Sequence, residues 1–314
     1  MMRRNERNGW VMTSPAMEEK MDGTRHVTAR QAESTDDQPG SGTWTGTEAP
    51  AKTSNGPRSP VTASAVKVLN ALEFLCERDS ATGLGELAQE LGVSTPTAYR
   101  IMQTLVATGF ARQAGVRETQ YEPSFRVVEL ASRVLGNNDL RSALLPTLHE
   151  LASQLGESVT LAVPDGMEIV FVERVTTDTK IRFYCDVGRR LPLHAGAAAR
   201  AILAWLPEEV FEQYASGQLR ALTSSTKHGF AELRKDRTEI RAAGYAISVD
   251  EVDLGISAVG VPLLDVNGEV IGSVAVANLT ARWSESDRTD RGNFLSSVLR
   301  REASSYGYVT LGPR

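Results

Sequence analysis

Gly83 to Phe110 reads GLGELAQELGVSTPTAYRIMQTLVATGF, two short helical patterns broken at a glycine. In the first, Leu84, Leu87, Ala88 and Leu91 recur at i, i+3, i+4 and i+7, which lays one apolar stripe along a helix, and Gly92 stops it. Ser94 is a good N-cap for a second helix, and Thr95 and Pro96 occupy its first turn, where a missing N–H costs nothing. That helix keeps Ala98, Ile101, Met102 and Leu105 for packing and ends at Gly109, a usual residue just past a helix. Thr95, Thr97, Arg100 and Gln103 are left to point outward. Short hydroxyls and an arginine at the start of the second helix suit base edges and phosphates in a major groove, as in a helix-turn-helix.

Two helices and a turn also make an ordinary helical hairpin, so the flanking residues matter. Phe110 to Tyr121 (FARQAGVRETQY) reads as two extended arms around Gly115, with Arg112 and Arg117 beside the tip. This pattern predicts a β-hairpin wing laid along phosphates. The candidate DNA contacts are therefore Ser94, Thr95, Thr97, Arg100, Gln103, Arg112 and Arg117. Tyr99 joins them either as a phosphate-binding hydroxyl or as a ring packed on the wing.

The charge balance opposes a broad electrostatic grip. The chain carries a net −5. Between Val61 and Phe125, five basic side chains (Lys67, Arg78, Arg100, Arg112, Arg117) face seven acidic ones (Glu73, Glu77, Asp79, Glu86, Glu90, Glu118, Glu122), a net of −2. Three of the five basic groups fall on the reading helix and wing. Such a module binds nonspecific DNA poorly and needs specific contacts from more than one copy.

A chain of 314 residues has room for about two domains of ~150 residues. Residues 1–60 read as a disordered tail: Thr, Ser, Gly, Pro and charged residues dominate, and Trp10, Val11 and Trp44 follow no period. The tail has neither the apolar stretch of a secretory signal nor the acid-poor composition of a transit peptide. The longest apolar candidate for a membrane span, Ala195 to Leu206, carries Arg200 and falls short of the ~18 residues required. Cys76 and Cys185 fit no metal or redox spacing and read as reduced packing residues of a cytoplasmic protein.

Beyond residues 61–124, the expected winged helix-turn-helix, residues 125–138 read as a linker helix with Phe125, Val128 and Leu135 on its apolar side. In residues 139–311 a helix over Leu140 to Leu155 gives way to period-two segments. Ser158–Val163 and Met167–Val175 flank the turn PDG, and Lys180–Val187 alternates as a third, half-exposed strand. After LPLH (Leu191 to His194) come an Ala-rich helix to Trp205, a helix opened by Pro207, and an amphipathic helix from Phe230 to Gly244. Ile256–Leu264 and Glu269–Leu279 enclose Asn267-Gly268, the strongest hairpin signal in the chain, and a helix over Ser284–Ser305 closes the domain. Hairpin connections predict an antiparallel sheet with helices on its faces: an α+β domain of a GAF- or PAS-like kind, able to hold a small molecule.

Two stretches make a resemblance specific: GRRLPLHAGAAARAILAWLP (Gly188 to Pro207) and GYAISVDEVDLGISAVGVP (Gly244 to Pro262). With the order of parts, they are similar to the IclR family of bacterial transcriptional regulators, over roughly Val61 to Leu311. The resemblance implies a winged helix-turn-helix joined through a linker helix to a GAF-like effector domain, acting as a homodimer or tetramer on a palindromic operator in double-stranded DNA. Arg100 matches the family's recognition-helix arginine, whereas Pro96 stands where a polar residue is more usual. The implied effector pocket maps to Gly196, Ala197, Ala198, Ser248, Ile256, Ala258, Ala275 and Ala277, with Phe183 and Leu191 as part of its wall. Relatives that bind small keto acids carry a carboxylate where Ser248 stands, a cysteine at Ala258 and serines at Ala275 and Ala277. These departures imply a less polar effector, because a carboxylate buried among alanines would be uncompensated.

Other classes find little support. The chain has no G-x-S-x-G, no Walker A, no G-x-G-x-x-G and no His/Cys/Asp cluster at metal spacing, so no catalysis, cofactor or metal is expected. Asp250, Glu251 and Asp253 read as solvated loop carboxylates, and His194 as a hydrogen-bonded core residue. A protein-interaction adaptor has no use for Thr95, Thr97 and Arg100 exposed beside a two-arginine wing.

Overall fold

The computed structural model describes residues 61–114, 120–136, 139–176 and 185–303, together with two short strands nearer the N-terminus. Those strands, β1 (Met2–Arg4) and β2 (Trp10–Met12), pair antiparallel with Met2 opposite Met12. The chain divides into two compact units, with residues 61–131 in one and residues 132–303 in the other.

The first unit holds α1 (Ala63–Cys76), β3 (Thr82–Gly83), α2 (Leu84–Glu90), α3 (Thr95–Ala107), β4 (Ala111–Ala114) and β5 (Gln120–Pro123). Gly92 and Gly109 take φ of +59° and +79°, the left-handed backbone that ends a helix with no steric cost. The apolar stripes then meet: Leu75 of α1, Leu87 of α2 and Ala98, Ile101, Met102 and Leu105 of α3 are buried with Ala111 and Tyr121 of the strands. β4 and β5 form the expected hairpin, and β3 extends it to a three-stranded sheet in the order β3-β5-β4. Ser94 holds the N-cap position of α3, but its hydroxyl lies 3.0 Å from that of Thr97 and makes no side-chain cap.

The helix α4 (Arg126–Gly136) follows, with Phe125 just before it 80% exposed. The second unit continues with α5 (Asp139–Leu155), the hairpin β6 (Ser158–Asp165) and β7 (Glu168–Val175), β8 (Arg190–Pro192), α6 (Ala197–Trp205), α7 (Glu208–Ala215), α8 (Phe230–Ala243), β9 (Ala246–Val249), the hairpin β10 (Ile256–Leu264) and β11 (Val270–Leu279), a 3-10 turn at Thr280–Arg282, and α9 (Glu285–Ala303). Six strands build one antiparallel sheet, β8-β7-β6-β11-β10-β9. Alternation along the strands feeds two cores. Val259, Val261, Val274 and Val276 pack with Leu144, Leu148 and Leu151 of α5 and Leu295 and Leu299 of α9. Ala162, Phe171 and Ala275 face the other way, onto Ala198, Ile202 and Leu203 of α6 and Phe211 of α7.

Two strand assignments differ from the sequence reading. Cys185–Val187 is not paired into a strand, and the rest of Lys180–Val187 lies outside the described residues. Beside β7 the described strand is Arg190–Pro192, whose pairing sets Leu191 opposite Ile169. The short β9, which the sequence reading passed over, completes the other edge and sets Ser248 opposite Ala258.

Candidate DNA interface and effector cavity

α3 separates its residues cleanly into two faces. Ala98, Ile101, Met102 and Leu105 are buried, while Ser94, Thr95, Tyr99 and Arg100 are exposed, Tyr99 at 48%. Thr97 and Gln103 are only half-exposed, and the Thr97 hydroxyl is already engaged by Ser94, so these two side chains stand less free than their spacing implies. The Arg100 guanidinium makes no ion pair or hydrogen bond with any described residue, so its donors face solvent. On the wing, Arg112 is exposed and paired with Glu122 across the hairpin at 2.8 Å. Arg117 lies outside the described residues.

In the second unit a cavity of about 50 Å³ opens between the sheet and the start of α6. Leu191, Gly196, Ala197, Ala198, Ser248, Ile256, Ala258, Ala275 and Ala277 all line it, and Phe183 lies outside the described residues. Strand register explains the convergence: Ser248, Ala258 and Ala277 stand abreast on β9, β10 and β11, and Gly260, Ala275 and Thr160 form the next row but one. Gly260 brings the helix in. A Cβ there would stand 2.6 Å from the Ala197 carbonyl oxygen, so only glycine lets the first turn of α6 rest on the strand. Ser248 is 4% exposed and its hydroxyl has no hydrogen-bond partner among the described residues, whereas Thr160 donates to the Ala275 carbonyl at 3.3 Å.

The sequence reading missed six wall residues: Thr160, Phe171, Cys185, Arg189, Val252 and Asp253. Arg189 and Asp253 make the cavity less apolar than the alanines suggest, since the guanidinium donates to both carboxylate oxygens at 3.1 and 3.4 Å. No local spacing connects these two residues, 64 apart in the chain. Burial, the largest influence on the Cys185 thiol, pushes it up to about 11.

The reading of Asp250, Glu251 and Asp253 as solvated carboxylates is corrected. Glu251 is 3% exposed and accepts hydrogen bonds from Gly196 N–H at 3.2 Å and from Arg200 Nε and Nη2 at 2.9 and 2.7 Å. Arg200, buried within α6, also donates through Nη1 to Asp236 of α8 at 2.6 and 2.5 Å, and Lys227 stands 2.9 Å from the same carboxylate. Burial alone would pull the Arg200 guanidinium down, but Glu251 and Asp236 outweigh it and hold the group charged. The Asp250 carboxylate accepts the Gly255 N–H at 2.9 Å and the Thr280 hydroxyl at 2.7 Å. His194 is buried, with Nδ1 2.7 Å from the Tyr214 hydroxyl and Nε2 3.0 Å from the Arg220 carbonyl oxygen. Both ring nitrogens are thereby occupied by the core.

A winged helix that presents free polar side chains, followed by an α+β domain with a small lined cavity, is the layout of a transcriptional regulator with a sensing domain. Residues 64–115 match the model of the IclR helix-turn-helix domain and residues 132–304 that of the bacterial transcriptional regulator IclR C-terminal domain, and the chain belongs to the IclR family. It is 30% identical over 246 residues to the HTH-type transcriptional regulator KdgR of Dickeya chrysanthemi, covering 78% of this chain and 80% of that one. Its identity to the transcriptional repressor IclR of Escherichia coli is 27% over 247 residues, 78% and 90% of the two chains. The crystal structure of the Thermotoga maritima IclR superposes with a TM-score of 0.67 at 26% identity, covering 78% of this chain and 99% of that chain. Both of these curated relatives are named for the regulation of transcription. No helix among the described residues is long and apolar enough to cross a membrane.

Proposed function

We propose that this regulator acts in the cytoplasm as a homodimer on a palindromic operator, reading bases with Thr95, Arg100 and neighbouring side chains of α3, and that a small, mostly apolar effector in the cavity alters its grip on DNA. The observation that carries the DNA reading is Arg100: an exposed arginine at the start of α3, with no protein partner among the described residues, keeps all its donors for a base edge or phosphate. A net charge of −2 on residues 61–125 leaves little nonspecific attraction, so two copies on half-sites about one helical turn (~34–36 Å) apart supply the specificity. Phe125, just before α4, and Val128 are exposed on one apolar side of that helix and favour it as the contact between copies. Leu135, which the sequence places in the same stripe, is instead half-buried against the core of the second unit.

For the effector, alanines at Ala258, Ala275 and Ala277 leave apolar burial, about 25 cal/mol per Å², as the main source of affinity. Arg189 and the unpartnered Ser248 hydroxyl supply the few polar contacts. Selection of bound fragments from random DNA with purified protein tests the reading directly: one enriched inverted repeat is expected, and no enrichment overturns it. Once a compound releases the complex, Ala275→Phe is expected to abolish that response with operator binding retained.

A further inference from the structure

Two loops meet over the cavity. One, Cys185 to Arg189, leads into β8; the other, Asp250 to Gly255, joins β9 to β10. The second loop is fastened at both ends. Asp250 takes a left-handed φ of +58° and Gly255 one of +81°, and the Asp250 carboxylate joins them through its bonds to Gly255 N–H and Thr280. The carbonyls of Asp250 and Glu251 accept the hydroxyls of Thr223 and Thr226, each at 2.6 Å, and the Glu251 carboxylate is locked to Arg200. Between these anchors Val252 leans over Gly196, its Cγ2 2.8 Å from where a Cβ there would stand, and Leu254 is 73% exposed. Asp253 reaches across to Arg189 of the facing loop, with side-chain exposures of 40% and 27%, the exposure at which an ion pair is weak and readily exchanged. The cavity, about 50 Å³, is smaller than an engineered apolar cavity of ~150 Å³ that holds benzene, so a ring-sized effector fits more fully when part of the wall gives way.

We propose that the Arg189–Asp253 pair is the latch of a gate: Val252–Leu254 swings out about Asp250 and Gly255 when the pair opens, and an anionic group on the incoming effector takes the place of Asp253 on Arg189. The inference rests on reading the cavity as the effector site and adds how that site opens. Cys185 in the cavity wall reports access. In a Cys76→Ser background, free of DNA, the rate of Cys185 alkylation by iodoacetamide is measured with Asp253→Asn and with Arg189→Gln. Both are expected to react about fivefold faster than the parent, the factor that loss of a half-exposed pair supports. Arg189 lowers and Asp253 raises the thiol's pKa, so the two substitutions change the thiolate fraction in opposite directions, and acceleration in both reports access. The charge swap Arg189→Asp/Asp253→Arg is expected to restore the slow rate, which separates a latch from general loosening. Iodoacetate is expected to gain on iodoacetamide more with Asp253→Asn than with Arg189→Gln, because only the first keeps the guanidinium while removing the carboxylate beside it. Unchanged rates, rates that follow the thiolate fraction alone, or a swap as fast as the single variants overturn the gate. Operator selection does not depend on this loop, so failure of the gate leaves the DNA reading standing, and the reverse holds.

Discussion

Helices α3 and α6 both begin on small residues and both carry an arginine in the first two turns, yet they do opposite things with it. Of the thirteen residues of α3 four are buried, and Arg100 is left to solvent; of the nine residues of α6 eight are buried, and Arg200 is spent on Glu251 and Asp236. The first arginine is available to a partner outside the chain. The second fixes the helix that forms one wall of the cavity. An arginine is therefore informative only together with the groups that reach it, and those of Arg200 lie 36 and 51 residues further along the chain.

The sharpest way to test that contrast is to remove each arginine. Arg200→Met strands two carboxylates in a core where they are 7% and 3% exposed, a change that costs on the order of 3–5 kcal/mol, and a large drop in the urea midpoint is the expected result. A midpoint close to the parent's would mean that Lys227, 2.9 Å from Asp236, compensates the site and that Arg200 is not its keystone. Arg100→Ala reverses the pattern. Unfolding should stay within about 0.5 kcal/mol, whereas operator binding should weaken by about 1–3 kcal/mol for each bidentate bond to a base that the arginine makes. Parental affinity in a fluorescence titration would remove α3 from the interface.

His194 brings pH into the comparison. Burial lowers its pKa below the ordinary 6.5, and both ring nitrogens are engaged. At pH above 6.5 the ring is neutral folded or unfolded, and its full stabilising contribution is present. Below 6.5 the unfolded chain takes up a proton that the native ring refuses, so stability falls as pH drops toward the folded pKa, by at most about 1.4 kcal/mol per unit for one proton. His194→Gln should flatten that part of the stability-versus-pH curve. An identical slope in the variant would assign the proton to another group.

How far the sequence could be read follows the same division. The amphipathic stripe of α2 and α3 and the Asn267-Gly268 turn are local signals, and both elements stand where the periodicity puts them. α6 has no period to read, because a helix buried nearly all round shows apolar residues on every side. The run before it alternates at Ile181, Phe183, Cys185 and Val187 and lies largely outside the described residues, whereas the described partner of β7 is the three-residue Arg190–Pro192, too short to declare itself. Nine wall positions around the cavity followed from the family resemblance rather than from any local pattern. Those missed, such as Arg189 and Asp253, are charged residues whose role exists only because two loops meet.

The smallest effect belongs to Arg112, and it separates two kinds of contact within the DNA interface. Its partner Glu122 lies 2.8 Å away, and side-chain exposures of 60% and 33% leave the pair worth little to folding, so Arg112→Ala should not move the unfolding midpoint measurably. A wing arginine meets phosphates rather than base edges, so its loss should weaken binding equally for operator and scrambled DNA and make the salt dependence shallower by about one counterion. The cost should stay below that of Arg100→Ala, because Glu122 already neutralises part of the charge. Glu122→Gln then supplies the complementary measurement: with its partner gone, Arg112 should bind phosphate more strongly and the salt slope should steepen. If Arg112→Ala instead weakened binding to the operator and spared scrambled DNA, the wing would be reading sequence, and the division of labour between α3 and the hairpin would have to be redrawn.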